Sequence, residues 1–206
     1  MKILFCFDGS DGDSNKNHDI KERLCMDKDV LRIYIKGCKY ENVGNGFFFP
    51  DLEIIATHIR NAFDKNNYFD LNQLKLSLNE DLYVAIGGGR WIEENVHRSG
   101  APFIPTEIAL EGLSRGGVTT FAVAKKLNEL NIPLRVLANQ PVPGEIYPYT
   151  PIFSKYFDLS ACTNIQSATV LLARHIDTNS PTDISFRQMV CRFPETTDSV
   201  VYFLPF

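Results

Sequence analysis

The sequence predicts an α/β domain, with a mostly parallel sheet flanked by helices. Three observations lead there. Short apolar runs alternate with stretches of helical periodicity; several runs are continuously apolar, as strands buried on both faces are; and a Gly-rich turn joins one strand directly to one helix. At 206 residues the reading is a single domain over 1–206, large enough to bury a conventional core.

The first strand spans Lys2 to Phe7 and is ended by Asp8-Gly9-Ser10-Asp11-Gly12-Asp13, a dense turn signal. The polar stretch from Ser14 to Lys28 reads as loop with a short helix. Val30 to Lys36 alternates as a second strand, and Gly37 to Asn45 reads as loop. From Asp51, expected as an N-cap after Pro50, to Phe63, the residues Ile54, Ile55, His58, Ile59 and Phe63 recur at helical spacing. Leu82 to Ile86 is a short strand stopped by Gly87-Gly88-Gly89, a turn expected close to the Ser114 pocket. A strand over Thr106–Leu110 follows. Gly117 to Leu130 is the clearest helix, with Val118, Phe121, Ala122, Leu127 and Leu130 on one stripe. The remaining strands are Leu134–Ala138, Thr169–Ile176 and Val200–Leu204.

Composition narrows the function classes. A net charge of −4 offers no electrostatic footprint for nucleic acid or for an anionic membrane surface. No apolar run approaches the length of a membrane span, and the N-terminal run is too short for a signal-peptide core. The expectation is a soluble domain made in the cytoplasm, with leaderless export the other route. The five cysteines, Cys6, Cys25, Cys38, Cys162 and Cys191, are scattered and form no CxxC pair. They read as free thiols in a reducing compartment, with no zinc site and no cofactor implied.

Chemistry concentrates in Gly112-Leu113-Ser114-Arg115-Gly116, a G-x-S-x-G segment that a strand enters and a helix leaves. A serine presented there sits on a sharp, strained turn, and glycines two before and two after it avoid clashes. The amides of the following helix carry partial positive charge and favour an oxyanion, with the Arg115 N–H as the expected first donor. The fold expectation is therefore α/β-hydrolase-like, with Ser114 as the catalytic nucleophile.

Gly112-Leu113-Ser114-Arg115-Gly116-Gly117 resembles the G-F-S-R-G-A elbow of a bacterial and fungal α/β-hydrolase family that includes phospholipase effectors of type VI secretion. Asp8-Gly9-Ser10 is similar to that family's D-G-T segment after the first strand. Gln140-Pro141-Val142 stands where the family has D-P-V. The three landmarks are in family order and span residues 3 to 144. The resemblance implies an esterase, lipase or phospholipase acting on an ester or phospholipid-like substrate, with Gly9 and Ser10 helping to form the oxyanion hole.

The triad departs from the family pattern. Chain order in this fold is Ser, then Asp or Glu, then His. The family's acid position holds Gln140, whose amide cannot stabilise an imidazolium by charge; Glu145 and Asp158 are the substitutes considered. His18, His58 and His97 precede Ser114, and His58 lies on an apolar helical stripe, where packing is the simpler role. His175 alone follows, inside an apolar run. The ending Tyr202-Phe203-Leu204-Pro205-Phe206 resembles the family's late L-P-G strand stopped short of its histidine. The expectation is an N-terminal fragment of a longer protein, with little or no esterase activity of its own. The second reading is a non-catalytic hydrolase-like interaction module with a protein partner, within a secreted effector.

Rival motifs are weaker. Ser10 stands where a haloacid-dehalogenase phosphatase needs its second aspartate. Asp11, Asp13, Asn15, Asp19 and Glu22 fall on calcium-loop spacing, but Lys16 replaces the required glycine and a strand precedes. Gly87-Gly88-Gly89-Arg90 lacks the phosphate-loop pattern.

Overall fold

A computed structural model describes residues 1–9, 30–35, 49–78, 84–87, 101–142, 158–173 and 191–204. Among the described residues seven strands form one sheet: β1 (Lys2–Phe7), β2 (Val30–Ile35), β3 (Val84–Gly87), β4 (Glu107–Leu113), β5 (Leu134–Asn139), β6 (Ile165–Ala173) and β7 (Asp198–Leu204). The helices are α1 (Phe49–Asn61), α2 (Leu71–Ser77) and α3 (Arg115–Lys126), the last continued by a 3-10 turn over Leu127–Glu129. The sheet order is β3-β2-β1-β4-β5-β6-β7. Among these seven strands β3 is antiparallel to β2, and the other pairings are parallel. An α/β architecture with a mostly parallel sheet is thus present.

Register explains why these sequences are apolar where they are. Leu31, Ile3, Ile108 and Leu134 form one row across the sheet, and Ile33, Phe5, Leu110, Val136 and Ala168 form the next. The third row is Ile35, Phe7, Gly112, Ala138 and Val170, small at its centre. All three rows lie in the buried core. α3 packs on β4 and β5, and α1 packs on α3. Every residue of α3 from Arg115 to Ala124 is buried, so this helix is core on nearly all sides. Phe69 closes the cluster, edge-on to both Phe5 and Phe103.

Several boundaries differ from the sequence reading. α1 begins at Phe49, with Pro50 in its first turn, where a missing N–H costs nothing; Asp51 is therefore inside the helix and not its N-cap. β4 runs on to Leu113, and α3 begins at Arg115, so strand and helix nearly meet. β6 and β7 begin earlier than expected, at Ile165 and Asp198. The short helix α2 was not anticipated. Asp70 caps it by accepting from the amides of Asn72 and Gln73.

The described cysteines, Cys6, Cys162 and Cys191, are buried free thiols. Burial pushes the Cys6 thiol far up, assisted by the carboxylates of Glu111 and Asp8 and opposed by Arg32. Among the described residues no helix is long and apolar enough to cross a membrane.

Candidate active site

The site is built at one end of two adjacent parallel strands. β1 leads to β2 on one side, whereas β4 leads to β5 on the other, so β1 and β4 flank the point where the chain reverses its direction across the sheet. Open α/β sheets leave a crevice outside the carboxyl ends of such strands. Gly9 follows β1 there, and Ser114 follows β4.

Ser114 is the single residue between β4 and α3, with φ 56° and ψ −118°. A positive φ on a residue with a Cβ costs on the order of 1–3 kcal/mol and persists only where the surroundings impose it. Here they do. The Ser114 N–H donates to Asn139 O at 2.9 Å, and its carbonyl accepts from the amides of Val142 at 3.1 Å and Val118 at 3.4 Å. The strained turn expected from the G-x-S-x-G spacing is therefore present.

The flanking glycines are required by close approach. A Cβ on Gly112 would lie 2.1 Å from Gly116 O, and one on Gly116 would lie 2.1 Å from Phe7 O. Strand, turn and helix consequently fold over the end of β1 with backbone touching backbone. A Cβ placed on Gly9 would stand 3.3 Å from Ser114 Cβ, so the end of β1 lies directly against the serine. Gly9 and Ser114 are brought together. Arg115, buried, opens α3, and its amide sits at the positive end of the helix. Ser10 lies outside the described residues.

Gln140 also takes a positive φ, 45°, and its amide donates to Leu171 O at 2.7 Å. It follows Asn139, whose carbonyl holds the Ser114 amide, so the segment resembling D-P-V wraps the serine turn on the side of β5. Sequence reasoning did not single out Glu111, which lies on β4 beside Cys6 of β1 and Leu137 of β5. Burial raises its carboxyl above the ordinary range. A charged residue three positions before the serine, following the apolar run Ile108-Ala109-Leu110, was the available signal.

Other candidates are elsewhere. Asp158 is removed from the site: Lys125, near the far end of α3, donates to its carbonyl. Its carboxylate is exposed and accepts from the amide and hydroxyl of Ser160, which hold its pKa below the usual carboxylate range. About ten residues of helix, roughly 15 Å, separate Lys125 from Ser114, so Asp158 is not a substitute acid. His58 belongs to the last turn of α1, where Arg60 pairs with Glu129 beyond the same far end of α3. Gly87 pairs with Arg32, and the same row runs through Leu4 to Ala109, so the turn expected near Ser114 begins three strands across the sheet from β4 and five residues short of Ser114 along it, toward the amino end of β4. His175, His18, His97 and Glu145 lie outside the described residues. A cleft of about 280 Å³ lined by Asn128, Pro133, Asn164 and Gln166 opens at the amino ends of β5 and β6, the opposite edge from Ser114. Among the described residues no group of three His, Cys, Asp or Glu side chains is placed to hold a metal ion.

Neither the models of known protein families nor the curated proteins contain a match to this chain.

Proposed function

We propose that this chain is an α/β-hydrolase-like serine hydrolase domain in which the Ser114 hydroxyl accepts the acyl group of an ester. The observation that carries this reading is the strained Ser114 backbone at the β4–α3 junction, with the end of β1 against it. Holding one serine at φ 56° costs stability and serves packing poorly, since the neighbours close only because they are glycines. What the turn does supply is a half-buried serine at a helix N-terminus, with the Gly9 backbone against its Cβ and the Arg115 amide the first of the helix. Attack by the hydroxyl on an ester carbonyl would place the developing oxyanion between them. Resemblance of the elbow makes lipid esters, including phospholipid-like ones, the first substrates to try.

The amide at Gln140 favours a second reading, that of a hydrolase-like interaction module whose turnover has been lost. Without a carboxylate to orient and charge-stabilise a base, the serine hydroxyl stays protonated and is a weak nucleophile. Helix amides and binding alone leave about 10³- to 10⁴-fold acceleration over water. The two readings separate in an assay of short- and medium-chain p-nitrophenyl esters. Slow release above background that disappears in Ser114→Ala supports acyl transfer. Identical rates for the two proteins favour the module.

A further inference from the structure

At the far edge of the sheet, β7 is exposed along almost its whole length. Val200, Val201, Tyr202 and Phe203 show relative exposures of 38, 37, 54 and 69%. Its inner edge pairs with β6 from Ser167↔Asp198 to Ala173↔Leu204, and among the described residues no further strand follows it in the sheet order. Edge strands are ordinarily blunted by shortness, a lysine, a proline or a bulge. β7 is seven residues long, Asp198-Ser-Val-Val-Tyr-Phe-Leu204, and carries none of these. The opposite edge, β3, is a short four-residue strand.

We infer that β7 is a dimerisation edge, and that its occupant is β7 of a second copy of this chain, antiparallel across a two-fold axis at Val201. The residue pattern of the strand selects this arrangement. Pairing about Val201 sets that residue against itself and sets Val200 against the partner's Tyr202 twice over. Directly opposed β-branched and aromatic side chains are among the favourable cross-strand pairs. Ser199, small, then faces the bulky Phe203 of the other copy, again twice. Charge points the same way. Asp198 is the one carboxylate in the strand, and antiparallel pairing holds the two copies of it about 20 Å apart, beyond two screening lengths. Parallel pairing would instead stack aspartate beside aspartate. A two-fold contact of this kind closes on itself and yields a dimer, not a fibre.

Sedimentation velocity across about a hundredfold range of concentration tests it, because a dimer dissociates by mass action. The mass should rise from 23.3 kDa toward about twice that value. Val200→Lys should hold the chain monomeric, and adding Tyr202→Glu should restore the dimer, because in this register each new lysine faces a new glutamate. A monomer at every concentration, or a Val200→Lys protein that associates as well as the parent, overturns the proposal; a double variant that stays monomeric overturns the register. Should the variants fold poorly, hydrogen exchange on the unmodified chain decides the matter. Amides of β7 should gain protection with concentration, and protection independent of concentration refutes the dimer.

Discussion

At Gly116 one methyl group decides whether the serine turn can close. Its Cβ would fall 2.1 Å from Phe7 O and 2.7 Å from Asp8 O, both main-chain atoms that cannot swing aside. Gly116→Ala should therefore cost about 3 kcal/mol of unfolding free energy, read from the shift of a urea transition, by pushing α3 away from β1. An unchanged midpoint would mean that helix and strand are further apart than described. Glu111 makes a different prediction at the same scale. Its folded pKa is raised above the ordinary 4.5 by burial, so the folded state binds a proton more tightly than the unfolded chain. The stability associated with that proton is fully present below the unfolded value and is lost as pH rises through the folded one. Glu111→Gln should melt with the parent below pH 4.5 and above it at neutral pH. A constant gap between the two melting curves across that range would contradict the burial. The serine and its glycines were legible in the sequence because their spacing is local. The buried setting of Glu111 was not, since it depends on which strands come to lie on either side.

Elements show how local signals compete with packing. Strand β4 was expected to stop at Leu110, yet it extends to Leu113 because parallel pairing with both β1 and β5 continues to the edge of the turn. Helix α2 went unread although Asp70 before Leu71, with Leu74 and Leu78 following at helical spacing, is a capping signal in a short segment. Asp51 looked like a cap because it follows a proline, but the helix simply takes Pro50 into its first turn. The join between α3 and β6 was not legible at all. There the Asn164 side-chain amide donates to the carbonyls of Leu127 and Leu130 and reaches Ile132 O at 3.3 Å, satisfying the end of the helix from the start of a strand more than 30 residues away. Asn164→Ala would remove the side-chain donor from Leu130 O and leave Leu127 O with the Leu130 N–H alone, and a loss of about 2 kcal/mol is expected in chemical denaturation. Asn164→Asp should lose as much, because a carboxylate offers no donor. A neutral result for both would show that water caps the helix as well as Asn164 does.

For the whole molecule, alternation of strand and helix was enough to predict a mostly parallel sheet, because each crossover leaves a periodic trace in the sequence. Strand order leaves no such trace, nor does the antiparallel direction of β3. Both follow from which rows of side chains fit together: Phe5 against Ile33 and Leu110, Phe7 against the space left by Gly112. The same order puts the ends of β1 and β4 side by side and so assembles Gly9 with Ser114 from positions more than a hundred residues apart. It also carries Asp158 and His58 to the other end of the sheet, leaving Gln140 as the described side chain nearest in sequence and topology to a triad acid. The proposed chemistry rests on Ser114 being the atom that is acylated, and that can be observed without turnover. The chain and its Ser114→Ala variant would be incubated with an alkyl fluorophosphonate and followed by intact mass and peptide mapping. A single adduct on Ser114, formed slowly and absent from the variant, is the predicted result; an unmodified Ser114, or equal labelling of both proteins, would contradict it.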